Sequence, residues 1–226
     1  MKISRNFNQL LDGRRCGWIN KKGDRWAVQN VPCFEHYGHV AILDVAKDAG
    51  VALEAELKDK YGDNKAKFIK CDVSNEEELL NAYNVVIESN GHVDVVINNA
   101  GILNDSKDIY KKALEVNVTA LITSTLKALE LMRKDKGGNG GAIINISSIA
   151  GLMQTSLLPI YSAAKCSTTI QQLYWGKPES AAAGVMEAFK KGSSASSWLI
   201  THEQPAVDIT NNVTEAYSVL SRGVFQ

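Results

Sequence analysis

The sequence predicts an α/β protein built on a doubly wound parallel sheet. Three observations carry that expectation. Short β-branched runs alternate with segments of helical apolar spacing from residue 39 onward. The runs are continuously apolar, as strands covered on both faces are. Polar residues recur directly after the runs, where they would share one rim of the sheet.

The elements follow in order. HVAIL (39–43) is the first clear strand, and Asp44 ends it. AKDAGVALEAELKDKYG has helical apolar spacing and closes at Gly62. KFIKC (67–71) is the next strand. Ser74 then opens NEEELLNAYNVVIESNG, with Glu77 three residues later, a capping-box start; Gly91 is a suitable stop. VDVVI (93–97) is a third strand. A long helix is expected over 108–134, with Val118, Leu121, Ile122, Leu126, Leu129 and Met132 as its apolar positions. GGNGG (137–141) breaks it, and AIINI (142–146) is the fourth strand. Another helix starts near Pro159 and carries Tyr161 and Lys165. Right-handed crossovers turn such an alternation into a doubly wound sheet.

Bulk properties narrow the function. The 226 residues are 45% hydrophobic, and 25 basic residues balance 25 acidic ones. That suits one domain with a sizeable core. A formal net charge of zero gives no argument for a nucleic-acid or anionic-membrane partner. No apolar run reaches the roughly 18–20 residues of a membrane span. The start, MKISRNFNQLLDGRRCG, lacks the apolar core of a secretory signal. Cys16, Cys33, Cys71 and Cys166 are scattered, and read as reduced thiols of a cytoplasmic protein. His36, His39, His92 and His202 have no ligand spacing, so no metal site is expected. Asn-x-Ser/Thr triplets at Asn117, Asn145 and Asn212 are read as coincidence.

The rim carries the chemistry. Asp44, Asp72, Asn98, Ser147 and Ser148 all follow strand ends. Tyr161 and Lys165 stand four apart, on one helix face. A nearby ammonium stabilises phenolate and lowers the tyrosine pKa. A tyrosine so tuned exchanges a proton with an alcohol or carbonyl near neutral pH. Ser148, at an adjacent strand end, could hold the same substrate oxygen. Asn117 interrupts an apolar helix face and could anchor a relay water beside the lysine. Taken singly, each has a plainer reading: a chance Tyr-x-x-x-Lys pair, a satisfied core amide at Asn117, a helix cap at Asp44.

Together these residues resemble a known family. NNAG (98–101), Asn117, INISS (144–148), YSAAK (161–165) and the thirteen-residue step from Ser148 to Tyr161 look like the short-chain dehydrogenases/reductases. The resemblance runs from residue 39 to 166. GGAIINISSIAGLM and FIKCDVSNEEEL are most similar to its hydroxyprostaglandin dehydrogenase and insect alcohol dehydrogenase branch. It implies a Rossmann-like fold and NAD-dependent exchange of a hydride with a small secondary alcohol or ketone. Tyr161 is then the acid/base, Lys165 lowers its pKa and binds the nicotinamide ribose, Ser148 orients substrate, and Asn117 completes the set. Spacing favours Ser148 over Ser147. Asp44 would accept bonds from the adenosine ribose and repel a 2′-phosphate, favouring NAD over NADP. Asp72 and Val73 would flank adenine, and Asn98, Asn99, Ala100 and Gly101 would form the turn beneath the ribose. Pairing into a homodimer or homotetramer, through the helices bearing Asn117 and Tyr161, is also implied.

The chain departs from that family at both ends. A T-G-x-x-x-G-x-G loop is expected after a first strand. The nearest match, Gly13 to Gly17 in DGRRCGW, lacks the third glycine. Residues 1–33 therefore read as an atypical segment replacing the first strand, its loop and most of its helix. Residues 34–209 read as a truncated dehydrogenase domain, with several dozen residues missing between about 174 and 177, and 210–226 as an unassigned tail. A non-catalytic relative that has lost its cofactor is the alternative to an active enzyme. A sugar epimerase, which also uses Tyr-x-x-x-Lys, ranks third.

Overall fold

The computed structural model describes residues 16–17, 39–152, 158–167, 172–175, 184–185, 187–188, 190–193, 196–201 and 204–224. Val40–Asp44 (β2) forms a fully buried strand, with helices available for both faces. Lys47–Tyr61 (α1) follows and ends at Gly62, whose φ of 106° favours glycine. Ala66–Lys70 (β3), Glu76–Asn90 (α2) and Val95–Asn98 (β4) come next. Ala142–Asn145 (β5), Pro159–Cys166 (α5) and Gln172–Trp175 (β6) follow the long helical segment. Each strand expected between 39 and 146 is present, as are the helices expected between β2 and β4 and near Pro159.

The sheet order is β3-β2-β1-β4-β5, with every pairing parallel. Its centre differs from expectation. Cys16–Gly17 (β1) lies between β2 and β4, where the sequence suggested replacement by foreign chain. Gly17 is thus a strand residue. The strand is two residues long and pairs only with Val40, Ala41 and Val95. Beyond them, Ile42–Asp44 and Val96–Asn98 have no ladder partner on that side among the described residues, so the sheet is incomplete at its centre. Gly13 and the rest of residues 1–33 lie outside the described residues.

Two local expectations shift. Helix α2 is capped by Asn75, one residue later than predicted: its side chain accepts from Glu78 N at 3.2 Å. Ser74 is taken by Asp72, whose Oδ1 accepts from both Ser74 N and Ser74 Oγ. That turn leaves Asn75 as the next side chain able to cap. Glu78 accepts from Asp72 N at 2.9 Å while Asn75 N donates to Asp72 O, so the expected capping box is not formed.

The expected long helix is three pieces: Tyr110–Leu114 (α3), a π turn at Glu115–Thr119, and Ala120–Met132 (α4). The π turn adds a residue to one turn and resets the helix phase. The buried row is consequently Val116, Asn117, Ala120, Ser124, Ala128 and Met132. Of the predicted apolar positions, only Met132 is fully buried. Ile122, Leu126 and Leu129 face outward, at 49%, 61% and 45% exposure. Small residues on the inner row let α4 lie close on the sheet. The core sits there, where Ala41, Leu43, Leu79, Tyr83, Val86 and Val96 meet Ala128 and Met132.

A second sheet of order β6-β7-β8 joins Gln172–Trp175, Trp198–Thr201 (β7) and Val207–Asp208 (β8). Its strands fall within the stretch 34–209, and sequence reading did not assign β6. The junction at 176–183 lies outside the described residues. The tail left unassigned is a helix, Thr210–Val224 (α6). No described helix is long and apolar enough to cross a membrane. Among the described residues, no cluster of histidine, cysteine or acidic side chains could hold a metal ion.

Candidate active site

Because β2 to β5 run parallel, their carboxyl ends share one rim. Asp44, Asp72, Asn98, Ser147 and Ser148 all stand on it, as the sequence suggested. Helix α5 then crosses back over the end of β5. Ser147 explains how it is fixed: its buried hydroxyl donates to Lys165 O at 2.8 Å. Gly151 allows the same approach from the next turn, since a Cβ there would lie 2.6 Å from Lys165 O. Ser147 is therefore a brace, and Ser148 is left to face Tyr161.

Tyr161 and Lys165 are both buried, at 6% and 3% exposure. The Ser148 hydroxyl stands beside the Tyr161 phenol and favours its ionised form. Lys165 Nζ donates to Ile146 O at 3.1 Å and lies 5.9 Å from the centre of the Tyr161 ring. Burial pushes the Tyr161 phenol above its ordinary value, and the Ser148 hydroxyl offsets only part of that rise. This corrects the expected lowering. With the ammonium 5.9 Å from the ring centre and donating to Ile146 O, loss of hydration for phenolate dominates.

Asn117 adopts the plainer of its two readings, with a consequence for the site. Its Oδ1 accepts from Ile102 N at 2.8 Å, and its Nδ2 donates to Ile102 O at 2.9 Å. Both ends of a buried amide are thus engaged by one residue, Ile102, of the segment leaving β4. Gly101, just before it, is wedged close: a Cβ there would stand 3.2 Å from Asn117 Oδ1 and 3.5 Å from Lys165 Nζ. Asn117, Gly101, Lys165, Tyr161 and Ser148 therefore form one contiguous cluster.

The expected cofactor contacts divide. Asp44 is buried, and its Oδ1 accepts from Ala46 N at 2.8 Å, so it also shapes the entry to α1. Asp72 is bound to Ser74 and Lys112. Burial works to raise its carboxyl, but those partners outweigh burial and hold it below the ordinary range. Asn98 points its amide inward: it donates to Asn145 Oδ1 at 2.8 Å and accepts from Ser124 Oγ at 2.6 Å. An amide oxygen only accepts, so Ser124 is the donor there and Tyr83 OH must donate to Ser124. This chain ties β4, β5, α2 and α4 together; Asn98 supports the rim from below. Leu43, Val73, Asn99, Ala100, Val116 and Leu121 line a mainly apolar cleft of about 450 Å³ beside these strand ends. The pyrophosphate loop, sought at Gly13–Gly17, falls outside the described residues except for Cys16 and Gly17.

Sequence reading missed Asp105, which accepts from both Ile160 N and Tyr161 N. A signal existed: α5 begins Leu158-Pro159, with no side chain able to cap it.

Comparison with known proteins agrees with this geometry. A family model described as short chain dehydrogenase matches residues 33–171. The 15-hydroxyprostaglandin dehydrogenase [NAD(+)] of Macaca fascicularis is 39% identical over 126 residues, which are 56% of this chain and 47% of that protein. Its Homo sapiens counterpart is 38% identical over the same length, and covers the same shares. Alcohol dehydrogenase 1 of Ceratitis capitata is 39% identical over 101 residues, 45% of this chain and 38% of that one. The chain thus spans less than half the length of these curated relatives. A solved short chain dehydrogenase from Mycobacterium avium superposes with a TM-score of 0.75 at 17% identity, over 88% of this chain and 85% of its own. One from Mycobacterium smegmatis gives 0.70 at 19%, over 85% and 92%. With the matched model spanning β2 to β5 and the Ser148–Tyr161–Lys165 cluster, the chain belongs to the short-chain dehydrogenase family.

Proposed function

We propose that this protein is an NAD-dependent oxidoreductase acting on a secondary alcohol or the corresponding ketone. The observation that carries the reading is the clustering of Ser148 with buried Tyr161 and buried Lys165 at the rim of a parallel sheet. When bound, nicotinamide supplies the hydride acceptor or donor. Everything else falls to the chain. Tyr161 gives its phenolic proton to a carbonyl oxygen in reduction, or takes the hydroxyl proton in oxidation. Ser148 orients the same oxygen. Lys165 places a buried ammonium near the ring, and Gly101 brings the backbone close to it. Asp44 meets the adenosine hydroxyls, a role supported by its burial at the end of β2. Pairing through α4 belongs to this reading, supported by its outward Ile122, Leu126 and Leu129, and sedimentation of the purified chain tests it.

A second reading, a non-catalytic relative, draws on the two-residue central strand. One experiment separates them: thermal unfolding with and without NAD⁺, in the unsubstituted chain and in Tyr161→Phe. Ligand at a hundred times its Kd adds about 2.7 kcal/mol. A midpoint that rises with NAD⁺ in both proteins, with turnover only in the first, is expected. A cooperative transition indifferent to NAD⁺ overturns the oxidoreductase reading.

A further inference from the structure

Helix α5 has no cap of its own. Leu158 precedes it without a side-chain hydrogen bond, and Pro159 takes its first turn. Proline there has no N–H to satisfy. The Ser162 amide already bonds Leu158 O at 2.9 Å. The amides of Ile160 and Tyr161 are left over, as the first turn of any helix leaves them. One distant side chain meets both. Asp105 Oδ2 accepts from Ile160 N at 2.7 Å, and Asp105 Oδ1 accepts from Tyr161 N at 2.9 Å. A carboxylate suits that position twice over: the helix start is electropositive, and bonds to an ionised acceptor are the stronger kind.

The tether has a second end. Asp105 closes the segment that leaves β4 through Gly101 and Ile102. Asn117 grips both backbone groups of Ile102. The stretch 102–105 is therefore fixed by Asn117 at one end and holds the Tyr161 backbone at the other. The start of α5 is set from the β4 side of the rim, while Ser147 braces its last turn from β5.

We propose that Asp105 is a positioning residue for Tyr161. Its bidentate cap sets where α5 begins, and so where the phenol meets Ser148. Only the catalytic consequence rests on the oxidoreductase reading.

The full chain carrying Asp105→Ala, which removes both acceptors, and Asp105→Asn, which keeps one, tests this. The readouts are amide hydrogen exchange at residues 160–162 and the 13Cζ resonance of Tyr161, assigned through Tyr161→Phe. In Asp105→Ala, exchange at Ile160 and Tyr161 should rise about tenfold or more while Ser162 holds. In Asp105→Asn, one of the two amides should respond. The Tyr161 resonance should move, and that of buried Tyr83 should not. With an alcohol and NAD⁺, kcat should fall about tenfold while KM stays within about twofold. Unchanged exchange and an unchanged Tyr161 resonance in both variants would overturn the proposal, as would a raised KM at constant kcat. Should Asp105→Ala fail to unfold cooperatively, Asp105→Asn decides by the same readouts. An unsubstituted chain without turnover sinks the oxidoreductase reading alone, and exchange and resonance still decide Asp105.

Discussion

Replacing Asn117 by leucine should cost stability before it costs anything else. The side chain is 1% exposed, and its amide meets Ile102 N at 2.8 Å and Ile102 O at 2.9 Å. Leucine is close in volume, so little cavity opens. Both bonds vanish, however, and two backbone groups of Ile102 lose their partner. A buried polar group left unsatisfied costs about 1–3 kcal/mol, and two give about 2–6 kcal/mol. Ile102 is only partly buried, so water recovers some of that, which places the expectation near 2–3 kcal/mol. In urea, with a slope of about 2–3 kcal/mol/M, the midpoint should fall by about 1 M at unchanged slope. Asn117→Asp separates the two bonds: it still accepts from Ile102 N but sets a carboxylate against Ile102 O. It should be destabilised as well, and more so at neutral pH than in acid. A midpoint for Asn117→Leu within about 0.2 M of the unsubstituted chain would refute the reasoning. The segment after Gly101 would then be held by something other than this amide.

Two further outcomes follow from the rim. Asp44→Asn keeps an oxygen for Ala46 N–H and removes the charge, so preference for NAD⁺ over NADP⁺ should shrink, on the order of tenfold. Equilibrium binding of both dinucleotides measures it; an unchanged ratio would remove Asp44 from cofactor selection. Alkali should also weaken the fold. Burial, with Glu78 and Asp72 nearby, pushes the Cys71 thiol from its ordinary 9.0 up to about 12. The folded state then keeps a proton that the unfolded chain releases. This contribution is whole below pH 9 and is lost as pH rises towards 12, at up to about 1.4 kcal/mol per pH unit. Cys71→Ala should flatten the fall between those limits, and a denaturant series across pH 8–11 that is equally steep in both proteins would contradict it.

The sequence by itself determined the strands from 39 to 145, the parallel sheet they form and the residues on its rim. Their patterns are local: β-branched runs, glycine stops at Gly62 and Gly91, and polar residues at strand ends. It also marked Ser148, Tyr161 and Lys165, because a fixed spacing on one helix and one strand end survives in the linear order. Tertiary structure decided what the spacing does not encode. The π turn at 115–119 reset the phase of the following helix, so its bulky apolar row faces outward and a row of small residues is buried. Burial raised the Tyr161 phenol where proximity to Lys165 suggested lowering, since loss of hydration depends on everything packed around a group. Asn117 and Asp105 act across 15 and 55 residues of chain, on backbone groups that any sequence would carry. Such bonds leave no local pattern, because the acceptor is chosen by where the fold brings an unsatisfied amide.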